Sequence, residues 1–293
     1  AGPGLDDYTL HLANGLADFV RVGYSISTDM LDRYGGALDP RVVPLPFNRP
    51  RRRHLWGITE MNRLAKEIKA FQPDIIHTQN DGLWESLLVH LLGDLPIVNT
   101  VHDPIKHIDQ RTTSALLFQK IAIQRASGWV VHSENLRKIF VQKFRKNSAH
   151  ILVHPHGIFD YYTRFAPAAV EREKTILFFG EVRHNKGADI LLHAFDSLDL
   201  PDWQLIIAGR GSGLSDENAL IKKMEGRLDI RNRYIPDAEV AELFSNAGIV
   251  AMPYRHGSQS GVLALAAAFG CPVLATRVGS LPELVQDRQE VLF

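Results

Sequence analysis

Phe178-Phe179-Gly180-Glu181-Val182-Arg183-His184-Asn185-Lys186-Gly187 sets the frame for the whole chain. A short apolar run ends at Gly180, a loop carrying two cations follows, and a helix is predicted to begin near Lys186. Strand, loop and helix start in that order form the first half of a βαβ unit, in which a crossover helix joins two parallel strands. The alternation recurs on both sides of this stretch. Upstream, strands are predicted at 20–25, 74–78, 97–101, 129–133 and 151–154, and helices at 6–18, 81–92 and 134–144; downstream, strands are predicted at 175–180, 204–209, 249–253 and 273–276. Leu55, Ile58, Met61, Leu64, Ile68 and Phe71 recur at spacings of three and four, which gives one further helix a single apolar stripe. About ten βα units overfill one sheet of ordinary size and fit an eight-unit barrel poorly. The chain therefore reads as α/β with two doubly wound, Rossmann-like domains facing across a cleft. The break is expected within 156–174, giving an N-terminal domain 1–160 and a C-terminal domain 161–293.

The composition supports two packed domains: 293 residues, 45% hydrophobic and 9% aromatic, are ample material for two cores. Thirty-three basic residues balance thirty-three acidic ones, so no global field attracts nucleic acid. The one cysteine, Cys271, cannot make an intrachain disulfide or a Cys-rich zinc site. No apolar run reaches the roughly 18 residues of a membrane span, and no basic-then-apolar leader opens the chain. A cytoplasmic location is expected. Arg49, Arg51, Arg52, Arg53 and His54 form a basic cluster before Trp56, which reads either as a solvated loop or as a peripheral contact to membrane or a phosphorylated acceptor. His154 and His156 have the spacing of an H-x-H metal pair, but Pro155 between them and the absence of a third ligand nearby in sequence favour a structural reading. No metal site is expected.

Two loops have the chemistry of anion binding. In Gly180–Gly187 a strand end aims backbone N–H groups and a helix start at one point, and Arg183 and Lys186 add full charges; a solvated surface loop is the plainer alternative. It is not a P-loop, because Asn185 and Gly187 flank the lysine where Gly and Ser or Thr would be required. Gly257-Ser258-Gln259-Ser260-Gly261-Val262 leads from a strand end into the apolar helix 262–269, and its small residues leave the amides of Ser260, Gly261 and Val262 open to an anion. An ordinary serine N-cap is the alternative there. Two such loops at strand ends of one domain suit one diphosphate.

The stretches quoted resemble family 4 of the GT-B glycosyltransferases over nearly the whole chain. Gly4-Leu5-Asp6-Asp7-Tyr8-Thr9 is similar to the first Gly-rich loop, Pro73 to Thr78 to the "pDvvH" strand, Val98 to Asp103 to the "TvHD" strand end, and Ile151 to Gly157 to the "vipnG" stretch. Gly180 to Gly187, Ile206 to Gly211, Pro253 to Gly261 in a Ser-Gln-Ser-Gly form, Gly270 to Thr276 and Gly279 to Glu283 follow in the family's order.

The resemblance implies retaining, metal-independent transfer of a sugar from a nucleoside-diphosphate sugar, UDP- or GDP-linked, to an acceptor, with no bound cofactor. The absence of any Asp-x-Asp pair agrees with this. It places His102 near the anomeric centre, while the loop chemistry above puts Arg183 and Lys186 on the leaving diphosphate. The donor would also meet Gly4, Gly180, Gly209, Ile235, Ser258, Gln259, Ser260, Gly261 and Val262, with the Ile235 backbone at the nucleobase. Three positions depart from the family pattern. Glu181 stands where an arginine usually follows the loop's first glycine. Asp6 replaces a glycine. A Glu pair is replaced by Gly257 and Leu265 or by Ser258 and Ala266, depending on alignment. These keep two alternatives open: an impaired nucleotide-sugar-binding homologue and a nucleotide-sugar epimerase. Residue 1 falls inside the first βα loop and Glu290-Val291-Leu292-Phe293 resembles a strand that further helices follow, so a longer parent protein is expected.

Overall fold

The computed structural model describes residues 3–51, 54–79, 82–104, 112–168, 171–215, 217–257 and 260–285. The chain divides into two units, Ala1–Gly157 and Ile158–Phe293. The first holds α1 (Pro3–Leu16), β1 (Gly23–Ser27), α2 (Thr28–Tyr34), β2 (Val43–Phe47), α3 (Trp56–Phe71) and β3 (Ile76–Thr78). It continues with α4 (Leu83–Leu91), β4 (Ile97–Thr100), α5 (Thr113–Arg125), β5 (Gly128–Val131), α6 (Glu134–Phe144) and β6 (Ile151–Val153). The second begins with a 3-10 segment, Asp160–Phe165, then β7 (Thr175–Phe179), a 3-10 turn (His184–Lys186), α7 (Ala188–Ser197), β8 (Gln204–Ala208) and α8 (Asn218–Lys223). It ends with β9 (Leu228–Arg231), α9 (Asp237–Asn246), β10 (Ile249–Met252), α10 (Gly261–Ala268), β11 (Val273–Ala275) and α11 (Leu281–Leu284).

In the second unit five parallel strands run in the order β11-β10-β7-β8-β9. Strand β7 is central because both faces of it are apolar. Phe178 joins α7 residues Leu191, Leu192 and Phe195 in one core, while Phe179 turns to the other face and meets Phe244 of α9 at 5.1 Å between ring centroids. Helices thus cover both faces, as a parallel sheet requires. The strand order reverses between β7 and β10, which is where a doubly wound sheet opens a crevice at its carboxyl edge.

The first unit carries a four-stranded parallel sheet, β3-β4-β5-β6, and a two-stranded parallel pair, β1-β2. Strand β2, Val43-Pro44-Leu45-Pro46-Phe47, has two prolines that read as a loop in sequence; among the described residues β2 pairs with β1 alone, so the missing N–H groups interrupt no second ladder there. Helix α3 buries Met61, Leu64, Ala65 and Ile68 against Leu45, Phe47 and α4. The apolar stripe is shorter than its sequence suggests: Leu55 precedes the helix and is 83% exposed, and Ile58 is 50% exposed. Helix α1 starts at Pro3, so Gly4 lies in its first turn and not in the loop expected there.

Glycine is obligatory where the loops after β7 and β8 touch. Gly209 has φ +140° and a Cβ placed on it would stand 1.8 Å from the Gly180 carbonyl oxygen. Gly226 also has positive φ, +91°, but nothing lies within 4 Å of its Cβ position. Gly209→Ala is expected to lower stability by on the order of 3 kcal/mol, and Gly226→Ala by about 1 kcal/mol, the intrinsic left-handed cost alone. Urea unfolding of both variants checks the difference; equal losses would contradict the backbone contact.

Candidate functional site

At the switch point the loop after β7 is pinned from two sides. Gly180 N–H donates to Ala208 O at 2.9 Å and Val182 N–H to Arg210 O at 2.8 Å, which extends the β7–β8 pairing beyond the sheet. On the β10 side, the Asn185 carbonyl accepts from the amides of Arg255 (3.0 Å) and His256 (3.3 Å). The Arg255 guanidinium reaches back to both Asp189 oxygens at 2.7 and 2.6 Å and to the His184 carbonyl at 2.8 Å. This bidentate pair holds the Asp189 carboxyl below the usual carboxylate range. Gly187, at φ +71°, lies against Pro253, whose carbonyl would be 2.0 Å from a Cβ there.

The clamp brings the predicted anion groups together. Lys186 Nζ sits 3.9 Å over the Tyr254 ring, and the Tyr254 hydroxyl shares a 2.9 Å hydrogen bond with Ser260 Oγ. Burial pushes the Tyr254 phenol up to about 12, so it stays protonated. Ser260 caps α10: its Oγ accepts from Val262 N–H at 3.2 Å. That bond uses the Val262 amide, so the expected amide set narrows to Ser260 and Gly261. Gly180 is close to the same turn, its Cβ position 3.5 Å from Val262 Cγ2. Arg183 is held by Glu181 at 3.0 Å, the residue that replaces the family's arginine. Gly209 lies directly against Gly180, which is where the loops after β7 and β8 touch. Ile235 is buried in the segment between β9 and α9; β9 ends at Arg231 and is two strands away from β7. Ser258 and Gln259 lie outside the described residues, as do Arg52 and Arg53; Arg49 pairs with Asp6 at 3.3 Å.

In the first unit, four successive strands each deliver a polar residue from their carboxyl ends: Gln79 after β3, His102 after β4, His132 after β5 and His156 after β6. Parallel register makes them neighbours. His102 Nε2 meets Gln79 Oε1 at 3.1 Å, His102 Nδ1 meets His132 Nε2 at 3.1 Å, and His132 Nδ1 donates to the His154 carbonyl at 2.9 Å. Tyr8 of α1 lies edge-on to all three rings, with centroids 4.9 Å from His102, 5.1 Å from His132 and 4.9 Å from His156. Burial pushes His132 down to about 4 and His156 to about 3. His154 and His156 do not act as a pair; His154 contributes its carbonyl while His156 joins His102 and His132. Sequence reading missed Tyr8, Gln79 and His132. The last had a visible signal, since Val130-Val131-His132 repeats the strand-then-histidine pattern of Thr100-Val101-His102.

The Glycosyltransferase Family 4 profile matches residues 4–159, more than half of the chain. The chain belongs to glycosyltransferase family 4. A second profile, Glycosyl transferases group 1, matches residues 173–293. Among curated relatives of this family 4 chain, a D-inositol 3-phosphate glycosyltransferase of Corynebacterium aurimucosum is 27% identical over 225 residues, 70% of this chain and 53% of the relative. One from Segniliparus rotundus is 35% identical over 126 residues, 40% of this chain and 27% of the relative. The chain thus spans about half the length of the first of these relatives. Solved structures share the fold. Anabaena HepE in complex with UDP and glucose superposes with TM-score 0.68 at 17% identity, covering 97% of this chain and 80% of that one. WaaG, a glycosyltransferase involved in lipopolysaccharide biosynthesis, gives 0.62 at 15% identity, covering 97% and 80%. A putative UDP-N-acetylglucosamine 2-epimerase from Listeria monocytogenes gives 0.64 at 15%, covering 97% and 78%. The GT-B fold read from the sequence is the fold of this family 4 chain. Among the described residues no helix is long and apolar enough to cross a membrane.

Beside the histidine cluster, His77 Nε2 shares a 2.7 Å hydrogen bond with Thr100 Oγ1, and burial pushes its pKa down to about 4. Unfolded histidine titrates at about 6.5, so below that pH the unfolded chain binds a proton that folded His77 refuses. Stability should therefore fall as pH drops from about 6.5 to 4, by up to about 1.4 kcal/mol per pH unit for this one group. His77→Gln should flatten the acid limb of urea midpoints against pH by that amount; an unchanged slope would show that His77 protonates freely in the fold.

Proposed function

We propose that this chain transfers a sugar from a nucleoside-diphosphate sugar to an acceptor, with the donor diphosphate held on the second unit. The observation that carries this reading is the Lys186–Tyr254–Ser260 group at the switch point. It joins a cation, a helix start and two amides at one place. As the sugar departs, the diphosphate gains negative charge, and fixed donors that meet that charge lower the barrier more than they stabilise the bound donor. Lys186, Arg183 and the amides of Ser260 and Gly261 supply those donors without a metal ion. Arg183 would have to leave Glu181 partly to take this role, which makes Lys186 the stronger contributor. A glucosyl- or hexosyl-type donor on UDP or GDP fits the charge of the site, and the UDP found with HepE supports the uridine form.

His102 on the first unit contacts the sugar or the acceptor, and transfer proceeds with retention at the anomeric carbon. The missing Glu pair means that the sugar hydroxyls are held by other groups. The acceptor, whether a saccharide, a lipid-linked or a small molecule, is chosen by loops of the first unit.

Calorimetry with UDP and GDP, run alongside donor hydrolysis and transfer, tests the reading. Lys186→Ala with Arg183→Ala should weaken the preferred diphosphate about tenfold to a hundredfold, the cost of one lost charge-assisted hydrogen bond or more. Unchanged affinity would contradict the donor site, and binding without turnover on any donor would favour an inactive homologue. Inversion at C2 of a UDP-N-acetylhexosamine in the absence of acceptor would instead indicate an epimerase. His102→Ala should lower turnover by about a hundredfold or more while the thermal midpoint changes little; wild-type turnover in the folded variant would remove His102 from the reaction.

A further inference from the structure

The three-imidazole fan of the first unit has a geometry that sugar transfer does not require. His102, His132 and His156 each offer one ring nitrogen, and these three atoms lie within 4.8 Å of one another. The protonation of the rings is constrained from outside. The His154 carbonyl can only accept, so His132 carries its proton on Nδ1 and turns the Nε2 lone pair inward. The Gln79 amide oxygen likewise fixes the His102 proton on Nε2 and turns the Nδ1 lone pair inward. Two lone pairs then face each other at 3.1 Å. Such a pair is held together either by a shared hydrogen, which requires the Gln79 amide to turn over, or by a cation. Two imidazoles on one tetrahedral zinc-type ion, each about 2.0–2.1 Å from it, have their nitrogens about 3.3 Å apart, close to the spacing seen. The outer hydrogen bonds to a carbonyl and an amide are the partners that orient metal-bound histidines.

We propose that His102, His132 and His156 bind a divalent transition-metal ion of the zinc type, and that the bound ion withdraws His102 from glycosyl transfer. His156 completes the site by closing in by up to about 1.5 Å, since three ligands around one ion need separations nearer 3.3 Å than 4.8 Å. Tyr8 forms the wall edge-on to the rings, and its hydroxyl is engaged with Thr100. The fourth coordination position is left to water or a substrate oxygen. The ion is a regulator and not a participant, so transfer itself remains metal-independent. This second half rests on the role given to His102 above; the binding half does not.

Metal-stripped protein titrated with Co²⁺, followed by visible absorption and displaced by Zn²⁺, tests binding without any sugar donor. The expected result is one equivalent with the intense bands of four- or five-coordinate Co²⁺ and a thermal midpoint that rises with metal. His156→Ala should weaken binding by more than the roughly 10–100-fold expected for Gln79→Ala, which removes only an outer partner. If His156→Ala fails to fold, His102→Ala serves the same comparison. Pale octahedral Co²⁺ spectra in the wild type, or affinity unchanged in the variants, would overturn the site. For the coupling, Zn²⁺ should inhibit transfer with the midpoint found by Co²⁺ displacement, and the ratio of rates with and without Zn²⁺ should approach one in His156→Ala. Metal binding without inhibition would overturn the coupling. Absence of transfer under every condition would count against the proposed function and leave the Co²⁺ result to decide the metal site by itself.

Discussion

Arg255 holds the second unit's chemistry in place. Its guanidinium bridges Asp189 at the start of α7 and the His184 carbonyl, while its amide donates to Asn185. Those bonds tie the loop after β10 to the loop after β7 at the one position where the strand order reverses. Without them Lys186 and Ser260 would belong to two independent loops; with them both touch Tyr254. The arrangement is demanding at the backbone as well. Gly187 and Gly209 let main chains pass where a Cβ would collide with Pro253 and Gly180. Rigidity matters because donors placed in advance cost no reorganisation as charge develops on a leaving group.

The first unit solves a different problem with the same topology. Parallel strands in consecutive order put their carboxyl ends side by side, so residues far apart in sequence become neighbours through register alone. His102, His132 and His156 meet in this way, and Tyr8 packs against all three. Their burial keeps His132 and His156 neutral near pH 7, which preserves lone pairs for hydrogen bonding or for a cation.

Much of this was readable in the chain because parallel sheets bury both faces of their strands. Thr175–Phe179 and Gln204–Ala208 are apolar after their first residue and Ile97–Thr100 opens on Ile97-Val98; helices lie between them, and all three fall where the pattern puts them. Strand β2 did not show because its prolines mimic a loop, and their tolerance depends on β2 having, among the described residues, β1 as its strand neighbour. Within the site, Lys186 and Ser260 could be proposed from helix-start chemistry. The Arg255–Asp189 clamp could not, since the two residues are 66 positions apart and only the fold brings them together. Arg183 was chosen for its charge, and only side-chain geometry shows Glu181 taking hold of it. The Val262 amide was expected to be open, yet the serine that opens the helix also consumes it.

The donor position on the second unit is tested most directly by a crystal structure of the protein with a bound nucleoside diphosphate. The diphosphate oxygens should lie within hydrogen-bond distance of Lys186 Nζ and the Gly261 amide, beside the Tyr254 ring. A nucleotide held anywhere else, or one whose phosphates face away from the junction of the β7 and β10 loops, would contradict it.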